Sequence, residues 1–274
     1  MVTLVVSTPA AVIEKISIKR TVIARILQPF ININLTHSTP HKPTVYGGTP
    51  PFKYQYAQYH NHSMKMIVFD MDSTLIDAET IDELAAAAGV GDRVTEITER
   101  AMNGELDYGE ALRERVGLLK GLSIERVRHA CESLPLMPGA RELVDAAKRM
   151  GYQTAMITCG FMISARRIGE ILGIDHVIAN DLATNGEKLT GEVVGNLTEA
   201  DSKARVLKDL AHRCGIDTSE CITIGDGAND IYLFANAGYS IAFNAKPILK
   251  EYADAVVDQK DMRAIIPIIE KIEK

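Results

Sequence analysis

The stretch Met66-Ile67-Val68-Phe69-Asp70-Met71-Asp72-Ser73-Thr74-Leu75 decides the fold. Its first four residues are all apolar and include Ile, Val and Phe, which predicts a short, buried strand. Two aspartates, one residue apart, and two hydroxyl residues follow. In an open α/β sheet, ligands bind outside the carboxyl ends of the strands. Two carboxylates there repel each other and lose hydration, so the pattern predicts a cation between them, with magnesium and a phosphate as the simplest occupants.

The rest of the chain predicts one helical block followed by alternating strands and helices. Four helical patterns fill residues 79–134, and the first of them ends at Gly89, a glycine C-cap. Further along, His176–Ala179 reads as a short strand and Leu182–Val194 as a hairpin that turns at Asn185-Gly186. Strands that alternate with helices indicate a parallel sheet covered on both faces.

We therefore predict an α/β fold in which a three-layer, Rossmann-like parallel sheet core carries an inserted all-helical cap domain. The cap can exclude water and contact a substrate. The predicted limits are residues 64–78 and 135–274 for the core and residues 79–134 for the cap.

The composition excludes several classes of function. A net charge of −6 over 274 residues argues against a nucleic-acid partner, and the absence of Trp argues against base stacking. No apolar run approaches the roughly 18 residues of a membrane span, so no membrane partner is expected. The four cysteines include no CxxC pair, which favours reduced thiols over a zinc site or a disulfide framework. These features predict a cytoplasmic protein.

Residues 1–63 differ from the remainder of the chain. They hold one acidic and six basic residues and six of the ten prolines. Neither a secretory signal peptide nor a transit peptide fits this pattern well. Thr36–Ser63, with its Pro, His and Tyr residues, is typical of a flexible linker. We predict a flexible N-terminal extension and assign it no function.

Three further segments are predicted to reach the same edge of the sheet. One strand leads into Thr158-Cys159-Gly160, another leads into Gly225-Asp226-Gly227-Ala228-Asn229-Asp230, and Lys203 opens a helix. A hydroxyl and free backbone N–H groups at such a turn can cradle a phosphate. A lysine can neutralise the phosphate oxygens, and carboxylates are ligands that magnesium prefers.

Taken in this order, the motifs resemble the four motifs of the haloacid-dehalogenase superfamily of phosphatases, over about residues 66–273. Within the superfamily, the phosphoserine phosphatases have segments similar to three in this chain: Glu79–Glu83, Arg113–Val116 and Ala245–Pro247. The resemblance implies magnesium-dependent hydrolysis of O-phospho-L-serine through an aspartyl-phosphate, the final step of serine biosynthesis, by a monomer or homodimer. One motif departs from the family pattern, because Thr158-Cys159-Gly160-Phe161 stands where Ser-Gly-Gly-Phe is usual.

The resemblance also implies a role for each motif residue. Asp70 would be the nucleophile, and Asp72 would be the general acid and then the general base. Magnesium would be held by Asp70, the backbone carbonyl of Asp72 and Asp226, with Asp230 supporting these ligands. Substrate contacts would come from Glu79, Arg115, Met102, Tyr108, Thr158, Cys159, Gly160, Lys203 and Asn229.

In the cap, Glu79 would bind the serine ammonium, and Arg115 would bind its carboxylate through the guanidinium fork. Simpler interpretations exist for both residues. Glu79 suits the N-terminus of a helix, and Arg115 could pair with Glu110 or Glu114 on the surface. Met102 and Tyr108 are equally consistent with core packing.

Three other functions fit parts of the pattern. The chain could hydrolyse another small phosphomonoester, or it could be a haloacid dehalogenase, although that chemistry needs neither Asp72 nor a metal. It could also be a phosphate-sensing or regulatory module that uses phosphorylation of Asp70 as its switch. Asp72 separates these cases, because an acid/base at that position should hydrolyse a phosphorylated Asp70.

Overall fold

A single seven-stranded sheet organises the structure, a computed structural model that describes residues 64–103 and 105–272. The predicted extension and linker within residues 1–63 lie outside the described residues. The strands, in chain order, are β1 (Met66–Phe69), β2 (Gln153–Phe161), β3 (His176–Thr184), β4 (Leu189–Val194), β5 (Cys221–Gly225), β6 (Tyr239–Phe243) and β7 (Ala255–Val257). Their order across the sheet is β4-β3-β2-β1-β5-β6-β7, and every neighbouring pair is parallel except β3 and β4.

The central strand of the sheet is β1, and it is buried, as the apolar run predicts. It pairs with β2 on one side and β5 on the other, and all four of its residues are fully buried. Ile67 and Phe69 belong to one apolar cluster, whereas Met66 and Val68 belong to a second cluster on the opposite face. Because both faces of the strand are covered, the sheet lies between two layers, and the predicted fold class is confirmed.

Helices cover these faces and also form the block between β1 and β2. In chain order they are α1 (Thr80–Ala88), α2 (Gly91–Met102), α3 (Tyr108–Gly117), α4 (Ile124–Glu132), α5 (Ala140–Arg149), α6 (Met162–Leu172), α7 (Ser202–Cys214), α8 (Ile231–Ala235), α9 (Pro247–Lys250) and α10 (Ile266–Ile272). No helix among the described residues has the length and apolar character needed to cross a membrane.

Helices α1 to α4 all lie between β1 and β2 along the chain, while the domain limits themselves stay a prediction. Gly89 ends α1 with a φ of 75°, which is the left-handed C-cap that the sequence predicts. Two backbone hydrogen bonds join this block to the hairpin: Gly121 N–H, between α3 and α4, donates to Leu189 O at 2.9 Å, and Ile124 N–H, at the start of α4, donates to Glu187 O at 2.8 Å. The helical block is therefore hydrogen-bonded to the β3–β4 hairpin at one edge of the sheet.

Two strands differ from the sequence prediction. The short strand predicted at His176–Ala179 is the first part of one longer strand, β3, which then forms the hairpin with β4. In addition, β2 continues through the predicted turn at Thr158-Cys159-Gly160 to Phe161. Its pairing with β3 moves from Ile157 opposite Ile178 to Phe161 opposite Asn180, so β2 carries two extra residues in a bulge.

Candidate active site

The central strands bring the predicted motifs to one edge of the sheet. Asp70 directly follows β1, Asp226 directly follows β5, and the bulge of β2 holds Thr158. Because β2 and β5 are the two neighbours of β1, these side chains converge. They share one cavity of about 150 Å³, lined by Asp70, Asp72, Glu79, Ile81, Tyr108, Leu112, Arg115, Thr158, Cys159, Gly160, Phe161, Asp226, Gly227, Asn229 and Lys246.

Lys203 lies beneath this cavity as a fully buried cation. Its Nζ lies 2.6 Å from Asp70 Oδ2 and 2.7 Å from Asp230 Oδ1. Burial alone would lower the pKa of Lys203, but the two carboxylates outweigh it and raise that pKa well above its ordinary value. The lysine therefore stays charged and fixes Asp70, whose Oδ1 also accepts a 2.7 Å hydrogen bond from Met71 N–H.

Three carboxylates at this edge can share a metal ion. Oxygens of Asp70, Asp226 and Asp230 all lie within 4.8 Å of one another. Burial raises the pKa of Asp226 to about 8, and the Asp70 and Asp230 carboxylates add to the rise. Such crowding is relieved by a cation, and an all-oxygen set suits a hard ion such as Mg²⁺.

Asp230 is the member of this group that also binds the backbone of the loop after β5. Its Oδ1 accepts from Lys203, and its Oδ2 accepts from the backbone N–H groups of Asp226 and Gly227 at 3.2 and 3.3 Å. This arrangement suits a residue that supports the ion-binding loop more than a direct ligand. Burial raises the pKa of Asp230 to about 6 against the opposing effect of Lys203.

Among the described residues, Asp72 accepts hydrogen bonds through one carboxylate oxygen and not through the other. Oδ1 accepts from the backbone N–H and the hydroxyl of Thr80, at 2.8 and 2.5 Å. A Cβ built on Gly160 would lie 2.7 Å from Oδ2, which shows that this oxygen faces the bulge of β2. Burial raises the pKa of Asp72 to about 7, and the Glu79 carboxylate adds to the rise while the two Thr80 bonds oppose it. A carboxyl group with such a pKa can both donate and accept a proton near neutral pH.

The bulge of β2 presents backbone and hydroxyl groups to the cavity. Gly160 N–H donates to Thr158 Oγ1 at 2.9 Å, and Thr158 is almost completely buried. Cys159 is also buried, and burial raises the pKa of its thiol to about 11, although Lys203 and a hydrogen bond with Tyr108 oppose this rise. The thiol therefore stays protonated at neutral pH, so it is a poor nucleophile and a poor target for oxidants.

The helical block contributes Glu79, Tyr108 and Arg115 to the cavity. Glu79 stands at its mouth and accepts a 2.6 Å hydrogen bond from Ser73 Oγ. Arg115 projects from α3 and donates through Nε to Ala111 O at 3.2 Å.

The two acids that could have paired with Arg115 are used elsewhere. Glu114 lies 3.1 Å from Arg100, and Glu110 forms the capping box of α3 with Asp107. Within the described residues, no carboxylate lies in salt-bridge distance of Arg115. Its guanidinium is thus available to an anion in the cavity.

Met102 is the one predicted site residue that the structure keeps out of this region. It is 75% exposed at the C-terminal end of α2 and does not line the cavity. Conversely, Thr80 and Lys246 belong to the site without having been predicted. Lys246 follows the carboxyl end of β6, and this position at the sheet edge was the signal that could have identified it.

The fold and site together define a Rossmann-like α/β protein that gathers carboxylates and a lysine at the carboxyl edge of a parallel sheet. A family model described as haloacid dehalogenase-like hydrolase matches residues 64–238. The chain belongs to this family, as the sequence motifs predict.

The individual relatives indicate a narrower group within this family. A phosphoserine phosphatase of Methanocaldococcus jannaschii is 44% identical over 205 residues, which are 75% of this chain and 97% of that protein. A phosphoserine phosphatase of Archaeoglobus fulgidus is 43% identical over 209 residues, which are 76% of this chain but only 61% of that protein. Among solved structures, a phospho-aspartyl intermediate analogue of phosphoserine phosphatase matches with a TM-score of 0.72 and 43% identity, covering 76% of this chain and 99% of that one.

Proposed function

We propose that the protein is a phosphoserine phosphatase, which hydrolyses O-phospho-L-serine to L-serine and phosphate. One observation carries this proposal: a single cavity is lined both by Asp70, which Lys203 holds in place, and by Arg115 and Glu79. The first group suits phosphoryl transfer, and the second suits the carboxylate and ammonium of an amino acid. The two relatives named above carry the same activity in their names.

In the first half of the reaction, a carboxylate oxygen of Asp70 attacks phosphorus and the serine oxygen leaves. The serine oxygen takes a proton from Asp72, whose Oδ2 faces the bulge where the phosphate would lie. Lys203 keeps Asp70 ionised and in place. The Thr158 hydroxyl and the Asn229 amide, which both line the cavity, would hold the phosphate oxygens.

In the second half, Asp72 removes a proton from water, and the water oxygen attacks phosphorus. The bond between phosphorus and Asp70 breaks, which restores the carboxylate and releases phosphate. The raised pKa of Asp72, about 7, suits both proton transfers.

The donor set fits Mg²⁺, which would be held by Asp70, Asp226 and the backbone carbonyl of Asp72. When bound, the ion would neutralise charge on the transferring phosphoryl group. Asp230 would keep the Asp226 loop and Lys203 in position.

We also propose that the protein is cytoplasmic. All four cysteines of the chain are free thiols, as expected for a protein in a reducing compartment.

A phosphate-release assay tests the substrate. Phosphoserine, phosphothreonine and a sugar phosphate are compared, with Mg²⁺ and with EDTA. We expect phosphoserine to be preferred and EDTA to abolish turnover reversibly. Arg115→Ala should raise the KM for phosphoserine by about 10- to 100-fold, because a charge-assisted bond to the substrate carboxylate is lost.

Arg113→Ala is the matched control, since Arg113 lies on the same helix but is exposed and does not line the cavity. Equal activity on all three substrates, with equal losses in both arginine variants, would contradict the proposal.

A further inference from the structure

Asn180 is a buried amide placed at a discontinuity of the sheet. It is fully buried in β3, at the residue where that strand stops pairing with β2 and starts pairing with β4. Its side chain makes three hydrogen bonds, all with backbone groups. Nδ2 donates to Cys159 O at 3.2 Å and to Leu197 O at 2.9 Å, and Oδ1 accepts from Leu197 N–H at 3.0 Å.

The first of these bonds satisfies a carbonyl in the bulge. Cys159 lies in the stretch of β2 that is not paired residue by residue with β3. A buried carbonyl without a partner is costly, and Asn180 supplies the donor. The same bulge presents Thr158 and Gly160 to the cavity.

The other two bonds hold the segment that leads to the buried lysine. Leu197 lies between β4 and α7, and Lys203 is the second residue of α7. The fit around the amide is close: a Cβ on Gly195, whose φ is 146°, would overlap Asn180 Oδ1. Any side chain at position 195 would therefore collide with the Asn180 amide, and only glycine fits there.

The same segment also supports the helical block. A Cβ built on Gly109, at the start of α3, would lie 2.6 Å from the backbone oxygen of Thr198, so α3 touches the segment directly. Tyr108 and Arg115 lie on α3. The Asn180 amide thus bonds both the bulge and Leu197. The segment that contains Leu197 leads into α7, which carries Lys203, and contacts α3, which carries Arg115.

We propose that Asn180 is a positioning residue for the reaction: it sets the phosphate-binding bulge of β2 relative to Lys203 and α3. It touches neither substrate nor reacting atoms, and it acts through Cys159 and Leu197. This inference rests on the proposed function only for the choice of substrate. Loss of the amide should misplace the bulge and weaken phosphate binding as well as turnover.

The test compares Asn180→Ala with Thr154→Val. Thr154 is fully buried in the same strand as Cys159 but at its other end, where its hydroxyl bonds Asp175 at 2.8 Å. Both changes remove buried hydrogen bonds and should lower the melting temperature. We expect only Asn180→Ala to raise the KM for phosphoserine and the inhibition constant of inorganic phosphate, each by about tenfold or more, with a fall in kcat.

A second variant and a second readout keep the test decisive. Asn180→Ser retains a hydroxyl that can satisfy one backbone group, and it should recover part of the phosphate affinity. Thermal stabilisation by inorganic phosphate with Mg²⁺ is measured on every variant. If the wild type binds phosphate but does not hydrolyse phosphoserine, the proposed substrate fails while Asn180 is still tested.

Unchanged phosphate affinity and KM in folded Asn180→Ala would overturn the inference. It would also be overturned if both Asn180 variants failed to fold, because the residue would then be structural.

Discussion

Replacing Lys203 with methionine tests the electrostatic centre of the site. The change keeps much of the side-chain volume but removes a fully buried cation that contacts Asp70 and Asp230 at 2.6 and 2.7 Å. At an effective dielectric constant near 20, each contact corresponds to an attraction of about 6 kcal/mol, most of which offsets the cost of burying the charges. Breaking such a buried network by removing one partner costs about 3–5 kcal/mol, and we expect a loss of this size in the free energy of unfolding at pH 7.

The pH dependence of that loss has a definite sign. In the wild type, burial raises the pKa of Asp230 to about 6 although Lys203 opposes the rise. Without the lysine, the pKa of Asp230 in the folded variant should be higher than this. Folded Lys203→Met then binds more protons than its unfolded chain at neutral pH, and its stability falls as pH rises. The gap to the wild type should therefore narrow between pH 7 and pH 5.

Urea unfolding followed by circular dichroism measures this gap. Lys148→Met is the matched control, because Lys148 pairs with Asp175 at 2.8 Å on the surface and should contribute less than about 1 kcal/mol. Phosphatase activity of Lys203→Met should fall by about 10²-fold or more. The reasoning would be refuted if the two lysine variants were equally stable at pH 7, or if the gap did not change with pH.

Three further predictions follow from other parts of the structure. Asp72→Asn should lower kcat for phosphoserine by about 10²–10⁴-fold in steady-state assays, because the amide cannot exchange the proton; near-normal turnover would exclude Asp72 as acid and base. Arg115→Lys should raise the KM for phosphoserine but leave that for a sugar phosphate unchanged, since an ammonium cannot reproduce the bidentate fork; equal effects on both substrates would contradict this role. Asp175→Asn should lower the melting temperature at pH 7, because hydrogen bonds from Lys148 and Thr154 outweigh burial and lower the pKa of Asp175. The difference from the wild type should shrink as pH falls below the ordinary pKa of an aspartate, about 3.9, and a difference that stayed constant on acidification would refute this prediction.

Features that depend on neighbouring residues in the chain could be predicted from the sequence. The apolar run before Asp70 identified β1 as a buried strand, and Gly89 identified the end of α1. The order of the motifs placed Asp226 and Lys203 in one site, because the carboxyl ends of parallel strands share one edge of the sheet.

Features that depend on contacts between distant segments could not be predicted. Nothing local shows that β2 bulges, or that the amide of Asn180 satisfies a carbonyl 21 residues away. The same holds for Thr80, whose bonds to Asp72 require the turn after β1 to fold back. Met102 was placed in the site by resemblance, but α2 ends there and leaves its side chain in solvent.

The central claim is that Asp70 becomes phosphorylated during turnover. Its most direct test is to quench the enzyme during steady-state hydrolysis of phosphoserine, reduce it with borohydride and map the peptides by mass spectrometry. Reduction of an aspartyl-phosphate yields homoserine, and we predict homoserine at position 70 that appears only with substrate. The absence of any reduced residue during active turnover, or reduction at Asp72 or Asp226 instead, would contradict the account.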